Sequence, residues 1–268
     1  MVFAGLDIGS RSMELVLLHE GQVVEWRKSD TGYDPLGQAA GIMEGLSWDS
    51  LVATGYGRKL LAQNVEATVI TEIQAHAIGA RHLFPDCRTI LDIGGQDSKA
   101  MALLPNGKIS RFEMNDRCAA GTGKFLEFMA SGLSQPLDEF GAFALSGQPG
   151  VSINSMCTVF AETEATSLMA KGCQANDIAL ALHHSVVRRS LSMLKRVGLN
   201  PPVVFTGGVA RNPCMVRLLE QDLATKLQVP EQPEMTGALG AALYGASKAE
   251  AHLTASSADH AAGRPYRG

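Results

Sequence analysis

Two cysteines lie at points in the sequence where a loop is predicted to become a helix. Cys118 stands in "MNDRCAAGTGKFLEFM" and Cys157 in "SMCTVFAETEATSLM", and neither belongs to a CxxC pair. Free backbone N–H groups at a helix start stabilise a nearby thiolate, which is the form of cysteine that binds metal. The pattern therefore indicates either a pair of metal ligands or two small packing residues, the second being the usual role of a cysteine taken alone.

The number and spacing of the cysteines favour free thiols over disulfides. The chain has five cysteines, an odd number that is widely scattered. Its first residues, "MVFAGLDIGS", lack the charged start of a secretory signal and pass directly into a predicted strand. We therefore expect a cytoplasmic protein with reduced thiols. Three cysteines have no comparable partner and are predicted to be packing residues: Cys87, Cys173 and Cys214.

A repeated motif places an acid and glycines at the ends of two predicted strands. Asp7 begins "DIGS", and Asp92, 85 residues later, begins "DIGGQDSK". After each turn comes an apolar run, "MELVLL" or "KAMALL", and then a glycine turn and a further strand, "VVEWRK" or "KISRF". Helical sequence follows both copies. The repeat predicts a duplicated α/β fold with a cleft between its two halves.

The two acidic turns are suited to binding a polyphosphate. Glycines let the backbone approach a ligand closely, and an acid beside them can hold a metal ion directly or through water. A strand follows these glycines, which excludes a Rossmann fingerprint, and "GTGK" is followed by Phe125, which excludes a P-loop. Two further motifs, "VVFTGGVARNP" and "MTGALGAALYGA", fit the adenosine side of a nucleotide site, or a strand-to-helix turn and a closely packed helix.

Composition narrows the class of protein further. The chain is 46% hydrophobic and 19% charged, as is ordinary for a globular protein, and its net charge is -4. Without an excess of basic residues, nucleic acid is not an expected partner. No apolar run approaches the roughly 20 residues that cross a bilayer, so no membrane association is expected.

Taken together, these motifs resemble a known family. "DIGS", "DIGGQDSK" and "TGGVARN" are similar to the two phosphate segments and the adenosine segment of the acetate and sugar kinase/heat-shock protein 70/actin superfamily. Within it, "ATGYGR", "NDRCAAGTGKFLE" and "CTVFAETE" resemble the activators of 2-hydroxyacyl-CoA dehydratases, a family that also holds the ATPase subunits of benzoyl-CoA reductases. The resemblance runs from about Gly5 to Tyr244 and implies a duplicated actin-like α/β fold.

The resemblance also implies a cofactor, a reaction and partners. It implies a homodimer that holds one [4Fe-4S] cluster between its subunits, with Cys118 and Cys157 as ligands. ATP binding and hydrolysis would drive the transfer of one electron to a dehydratase or reductase partner, with ferredoxin or flavodoxin as the donor. The residue count agrees, because such a cluster needs four thiolates and this chain offers two in like settings, so that two copies supply four.

Roles in nucleotide binding follow from the same motifs. Asp7 and Asp92 are expected to orient Mg²⁺ through water, and Gln96 to position the attacking water. Asp97 and Glu162 are alternative polar organisers, or an ordinary turn acid and helix-start acid. The predicted contacts of ATP or ADP are Gly9, Ser10, Arg11, Ser12, Gly94, Gly95, Asp97, Lys99, Gly207, Gly208, Asn212, Gly237 and Gly240. Lys99 could instead be a solvated strand lysine.

The first acidic turn departs from the family pattern. The family usually continues Ser-Thr-x-Ser-Lys, whereas this chain has Ser10, Arg11, Ser12, Met13 and Glu14. The lysine and one hydroxyl are thus lost. Arg11 is expected to supply positive charge to the phosphates in their place.

The predicted domains follow the repeat. Residues 1–84 with 236–250 form the first half, residues 85–235 form the second half with both cysteines, and 251–268 are expected to be a disordered tail. Two other functions use the same fold: a small-molecule kinase, or a nucleotide-binding regulator without a redox role. Bound iron distinguishes the activator from both.

Overall fold

The computed structural model describes residues 1–155 and 157–262, and of 252–262 the backbone alone. The chain divides into two compact units. Unit 1 is Met1–Gly79 with the segment that begins at Gly237, and unit 2 is Ala80–Thr236. The predicted boundaries, 84/85 and 235/236, differ from these. The first lies just before Pro85, which interrupts the helical pattern, whereas the two units meet within a continuous helix, Glu72–Leu83.

Unit 1 is built on a five-stranded sheet with the order β3-β2-β1-β4-β5. The first three strands form an antiparallel meander, and β4 and β5 extend the sheet in parallel from β1. The central strands are almost wholly buried, while β3 alternates as an edge strand does. The strands are β1 Val2–Ile8, β2 Ser12–His19, β3 Gln22–Asp30, β4 Ser50–Gly55 and β5 Thr68–Val69.

Helices of unit 1 bury the sheet's apolar side chains. Leu6, Leu15 and Ala53 from three strands join Ala39 and Ile42 of α1 in one core. The helices are α1 Pro35–Met43, α2 Arg58–Ala62, α3 Glu72–Leu83, whose last residues belong to unit 2, and α9 Thr236–Ala262.

Unit 2 repeats this architecture strand for strand. Its sheet has the order β10-β9-β6-β7-β8, with the same antiparallel meander and the same parallel extension. The duplicated fold predicted from the two acidic turns is therefore confirmed. The strands are β6 Thr89–Ile93, β7 Ser98–Leu103, β8 Ile109–Asn115, β9 Val203–Thr206 and β10 Leu227–Gln228.

Unit 2 carries a larger helical layer than unit 1. The longest of these helices, α7, buries Ile178, Leu182 and Val186 on a stripe of helical spacing, and it ends at Gly198 in the left-handed conformation. Phe125 and Phe140 of neighbouring helices complete the core. The helices are α4 Gly123–Gly132, α5 Leu137–Leu145, α6 Thr158–Ala170, α7 Ala175–Val197 and α8 Pro213–Leu223.

The C-terminal segment differs from the expectation of disorder after residue 250. Helix α9 continues to Ala262, through a stretch rich in alanine, which loses no side-chain entropy in a helix. The rest of the predicted tail, 263–268, lies outside the described residues.

Candidate functional site

The acid of unit 1 lies at the end of a buried strand and is enclosed by glycines. Asp7 is 8% exposed, and the residue opposite it on the parallel neighbour β4 is Thr54. A side chain at Gly55 or at Gly237 would collide with the Asp7 carboxylate. His76 of α3 places its Nε2 3.8 Å from Asp7 Oδ2. Gly237, predicted as a nucleotide contact, therefore lies directly against the predicted metal-orienting acid.

The acid of unit 2 is held by a buried ion pair. Asp92 is 2% exposed; its Oδ2 accepts a hydrogen bond from Lys99 Nζ at 3.2 Å, and its Oδ1 accepts one from Thr206 Oγ1 at 2.9 Å. Lys99 Nζ also lies 2.6 Å from Asp97 Oδ2. The expectation of a solvated strand lysine is wrong, because Lys99 is only 3% exposed. Its charge compensates the two carboxylates, which burial would otherwise destabilise.

The duplication extends to residues that the sequence motifs had not linked. Thr206 ends β9 and Gly207 follows it, just as Thr54 and Gly55 stand at the end of β4, and both glycines have positive φ. A Cβ at Gly207 would come within 2.9 Å of Asp92 Oδ1. Sequence analysis assigned a role to Gly207 and none to Thr54 or Gly55. The signal was present, since "ATG" and "FTG" occur at the same place in the two copies.

The two units differ at one position beside the acid. Opposite Asp92 on β7 stands Lys99, whereas opposite Asp7 on β2 stands Glu14, which is 5% exposed. Ser12 Oγ donates to Glu14 Oε1 at 2.6 Å, and the residue opposite Glu14 on β3 is Lys28. Unit 1 therefore has a carboxylate at the position where unit 2 has a lysine, and the lysine Lys28 stands opposite that carboxylate on the next strand.

The first acidic turn leaves two of its predicted nucleotide contacts accessible. Ser10 and Arg11 are exposed, while Gly9 is half-buried. The backbone of the turn is fixed by Thr31, whose hydroxyl donates to the Gly9 carbonyl at 2.7 Å and whose N–H donates to the Arg11 carbonyl at 2.8 Å. The Ser12 hydroxyl is the exception, because it is engaged with Glu14.

The second acidic turn rests directly on the start of α4. The carbonyl of Gly94 accepts a hydrogen bond from Gly123 N at 2.9 Å, and that of Gly95 accepts one from Lys124 N at 2.7 Å. Gln96, the predicted water-positioning residue, is exposed beside them. The first turn of α4 is thus bonded to the predicted phosphate-binding backbone.

Helix α4 begins later than the sequence predicts, so Cys118 does not lie at a helix start. Residues 119–122 form a turn in which Thr122 N donates to the Ala119 carbonyl at 3.0 Å, and Gly121 has a φ of 89°, which a right-handed helix excludes. Asn115 Nδ2 donates to the Cys118 carbonyl at 2.9 Å. The first predicted ligand therefore stands in a fixed turn ahead of the helix.

Cys157 does stand at a helix start, as predicted. It is the N-cap residue of α6, and its carbonyl accepts a hydrogen bond from Ala161 N at 2.9 Å. The carboxylate of Glu164 accepts hydrogen bonds from the N–H groups of Asn154 and Ser155 at 3.0 to 3.2 Å. Burial raises the pKa of Glu164, but hydrogen bonds from the Ser155 side chain and from these two N–H groups leave the pKa below its ordinary value. Glu162, the alternative organiser, is exposed on the same helix.

The five thiols separate into accessible and buried groups. Cys118 and Cys157 are exposed, and Cys173 is half-buried. Burial raises the pKa of Cys87 to about 11 and that of Cys214 to about 12, so both are neutral thiols at physiological pH. Among the described residues, no three His, Cys, Asp or Glu side chains come together as a metal site. Two exposed thiols fit half of a four-thiolate site, which a second copy of the chain would complete.

Two residues predicted to contact the adenosine side of the nucleotide have structural roles of their own. Asn212 Oδ1 caps α8 by accepting from Cys214 N at 3.0 Å and Met215 N at 3.1 Å, and its Nδ2 lies 3.0 Å from His183 Nε2. Gly240 packs α9 against α3, because a side chain there would collide with the carbonyl of Ala75. Gly208 is exposed, with open space where a Cβ would stand.

In the part of the chain that the structure describes, no helix is long and apolar enough to cross a bilayer.

Comparison with known proteins gives a consistent set of relatives. The model of the BadF/BadG/BcrA/BcrD ATPase family matches residues 4–245. The 2-hydroxyisocaproyl-CoA dehydratase activator of Clostridioides difficile is 40% identical over 259 residues, which cover 93% of this chain and 97% of that protein.

Solved structures agree with the sequence comparison. The solved structure of the activator of the 2-hydroxyisocaproyl-CoA dehydratase from Clostridium difficile, with bound ADPNP, superposes with a TM-score of 0.87 over 95% of this chain and 97% of that one, at 40% identity. A ROK family glucokinase from Streptomyces griseus superposes with a TM-score of 0.58 over 90% of this chain and 98% of its own, at 13% identity. The second likeness shows the fold alone, and the predicted sugar kinase- and actin-like fold is confirmed.

Proposed function

The chain belongs to the BadF/BadG/BcrA/BcrD ATPase family, and we propose that it is the ATP-driven, one-electron activator of a 2-hydroxyacyl-CoA dehydratase-type partner. The observation that carries this proposal is the pair of accessible thiols, Cys118 and Cys157, in a chain whose other cysteines are buried or half-buried. The 40% identity to a dehydratase activator supports the choice of partner. Reduced ferredoxin or flavodoxin is the proposed donor. The free, accessible thiols suit a reducing cytoplasm.

The acidic turns are proposed to bind ATP and ADP with Mg²⁺. Asp7 and Asp92 would orient water molecules on the metal ion, since each carboxylate lies buried beside a glycine turn. Ser10 and Arg11 are exposed and would contact phosphate oxygens. Gln96, exposed beside the second turn, would hold the attacking water without changing its own protonation. The bound ADPNP of the homologous activator supports a nucleotide function.

Cys118 and Cys157 are proposed to ligate a [4Fe-4S] cluster together with the same two cysteines of a second copy. When bound, the cluster supplies a carrier for one electron at low potential. The chain's contribution is to hold two thiolates outward. Cys157 is fixed as the N-cap residue of α6, and Cys118 is fixed by the Asn115 amide, which donates to its carbonyl.

The contact between the second acidic turn and α4 is the proposed link from nucleotide to thiol. The N–H group of Gly95 would face phosphate, whereas that of Gly94 donates to the Asp97 carbonyl at 3.0 Å. The carbonyls of the two glycines accept from the N–H groups of Gly123 and Lys124. A shift of this turn on hydrolysis would move the first turn of α4, which the chain joins to Cys118 through residues 119–122. Nucleotide state would thereby bias the position of one thiolate.

The test is an electron-transfer assay under anoxia. The reduced protein, ATP and a purified 2-hydroxyacyl-CoA dehydratase are mixed, and reduction of the dehydratase is followed spectroscopically. Transfer that requires ATP supports the proposal, and Gln96→Ala is expected to keep its iron while hydrolysis and transfer both fall. An iron-free protein whose ATP turnover depends on an added sugar or acid would establish a small-molecule kinase instead. ATP binding without iron or turnover would indicate a regulator.

A further inference from the structure

Two consecutive arginines of α7 each contact one of the two cysteine segments. The first cysteine segment is residues 115–122, and the second is residues 149–155 with Cys157. Arg189 Nη1 donates to the carbonyl of Ala120 at 3.3 Å, and Arg188 Nη2 donates to the carbonyl of Ile153 at 2.6 Å. All of these residues belong to unit 2.

The first cysteine segment is shaped around Arg189. Gly121 adopts a φ of 89°, and a Cβ there would stand 3.1 Å from Arg189 Cδ, so the arginine stem occupies the space that a side chain would need. Ala120 is 3% exposed, and its carbonyl also accepts from Asn115 Nδ2 at 3.2 Å. The same asparagine amide holds the Cys118 carbonyl. Arg189 therefore holds in place the turn that directly follows Cys118.

The second cysteine segment is held on two sides. Ile153 is fully buried in the core of unit 2, and Arg188 bonds its carbonyl. On the other side, Glu164 bonds the N–H groups of the next two residues, Asn154 and Ser155. The segment that leads to Cys157 is thus tied to α7 by Arg188 and to α6 by Glu164.

The position of the arginines on α7 explains how one helix reaches both segments. Neighbouring helical residues point about 100° apart, so the two side chains diverge from a single point of the helix. Val186, Val187 and Ser190 around them are buried, which makes this part of α7 a rigid base. Both cysteine segments are therefore anchored to α7.

We propose that Arg188 and Arg189 are positioning residues that set the separation of the Cys118 and Cys157 thiolates, and that their charges stabilise an anionic iron–sulfur cluster. This inference rests on the proposed function. Two cations that contact the backbone of the two cysteine segments would favour the reduced state, which carries one more negative charge than the oxidised state. Removing either cation lowers the reduction potential and weakens retention of the metal.

The test compares Arg188→Gln and Arg189→Gln with the charge-retaining Arg188→Lys and Arg189→Lys. Arg196→Gln is the matched control, because Arg196 lies on the same helix and pairs with the Glu113 carboxylate, at 3.0 Å, rather than with a carbonyl of either segment. Iron and sulfide per chain, the electron paramagnetic resonance spectrum and the reduction potential are measured on anaerobic protein. We expect the glutamine variants to lose a large part of their iron or to have a lower potential. The lysine variants should keep a potential nearer that of the wild type. Glutamine variants with wild-type iron, spectrum and potential would overturn the proposal.

A second readout separates this inference from the proposed function. Hydrogen–deuterium exchange of cluster-free protein measures the cysteine segments directly. Arg189→Gln should accelerate exchange in 118–122, and Arg188→Gln in 153–157, with the rest of unit 2 unchanged. A wild type that binds no iron refutes the proposed function and the role toward the cluster, whatever the exchange shows. A wild type with iron, beside variants with unchanged exchange and potential, refutes the role of the arginines alone.

Discussion

Lys99 is the residue on which the interior of unit 2 depends for charge balance. It is the cation for Asp92 and for Asp97, and it is 3% exposed. Replacing it by methionine removes the cation from the buried Asp92–Lys99 pair, and we expect Lys99→Met to lower the free energy of unfolding by about 3–5 kcal/mol.

Urea denaturation measures this loss. Lys124→Met is the control, because the Lys124–Glu127 pair at 3.3 Å is partly exposed to solvent and should contribute less than about 1 kcal/mol. Equal effects of the two substitutions would show that Lys99 does not compensate buried charge.

His183 makes the stability of unit 2 depend on pH. It is fully buried, and desolvation lowers its pKa to about 4 from an ordinary value of 6.5. The neutral ring fits its surroundings, since Nδ1 lies 2.7 Å from the Ala179 carbonyl and Nε2 3.0 Å from the Asn212 amide nitrogen. The unfolded chain binds the proton first, so this stability is present above pH 6.5 and falls as pH decreases towards 4.

A shift of one pKa unit corresponds to about 1.4 kcal/mol, so the free energy of unfolding should fall by a few kcal/mol between pH 6.5 and pH 4. Urea unfolding at pH 7, 6 and 5 measures it, with His183→Gln as the variant whose pH dependence should be smaller. The same slope in both proteins would contradict a neutral, buried imidazole.

The cysteines should differ in reactivity according to their burial. In cluster-free native protein at pH 8, iodoacetamide should label Cys118 and Cys157 rapidly, because both are exposed. Cys87 and Cys214 should stay unlabelled until the protein unfolds, since burial raises the pKa of each thiol to 11 or above. Peptide mass spectrometry locates the label. Rapid labelling of Cys87 or Cys214 in folded protein would show that unit 2 opens there.

At the scale of elements, the crossing of α9 over α3 requires a glycine. A side chain at Gly240 would collide with the backbone carbonyl of Ala75, which has no free rotation to escape. We expect Gly240→Ala to destabilise the protein by roughly 1–3 kcal/mol. Gly41→Ala in α1 is the control, because nothing lies within 4 Å of the added methyl group, and alanine favours a helix by up to about 1 kcal/mol.

Thermal and urea unfolding should therefore move in opposite directions for the two variants. A Gly240→Ala protein with wild-type stability would mean that the helices separate without cost. Gly240 would then be free for the nucleotide contact that its motif first indicated.

Elements with a strong pattern were predictable, and elements set by one backbone angle were not. The strand Val2–Ile8 follows from its run of apolar residues, and the helix capped by Cys157 begins where the sequence predicts it. Helix α4 starts late because Gly121 has a left-handed φ. A glycine can adopt a helical φ as well, so the sequence does not show which of the two Gly121 takes. The prediction that Cys118 lies close to α4 in the chain is therefore right, but the prediction that it stands at the first turn of the helix is wrong.

For the whole molecule, duplication could be predicted from two acidic turns, but the contacts of those turns could not. The burial of Lys99 between two acids, and the pairing of Thr206 with Asp92, depend on strand register. Arg188 and Arg189 carried no motif at all, because their partners are backbone carbonyls far away in the chain. Nucleotide contacts assigned by motif alone remain predictions.

The central claim is that two copies of this chain share one iron–sulfur cluster through Cys118 and Cys157. The most direct measurement is iron and sulfide content, with a visible spectrum and the molecular mass in solution, on protein purified without oxygen. Cys118→Ser and Cys157→Ser are compared with Cys173→Ser, a half-buried thiol outside the proposed site. We expect about two irons per chain in a dimer, lost in the first two variants and retained in the third. A wild type still colourless after anaerobic reconstitution, or iron that survives both substitutions, would contradict it.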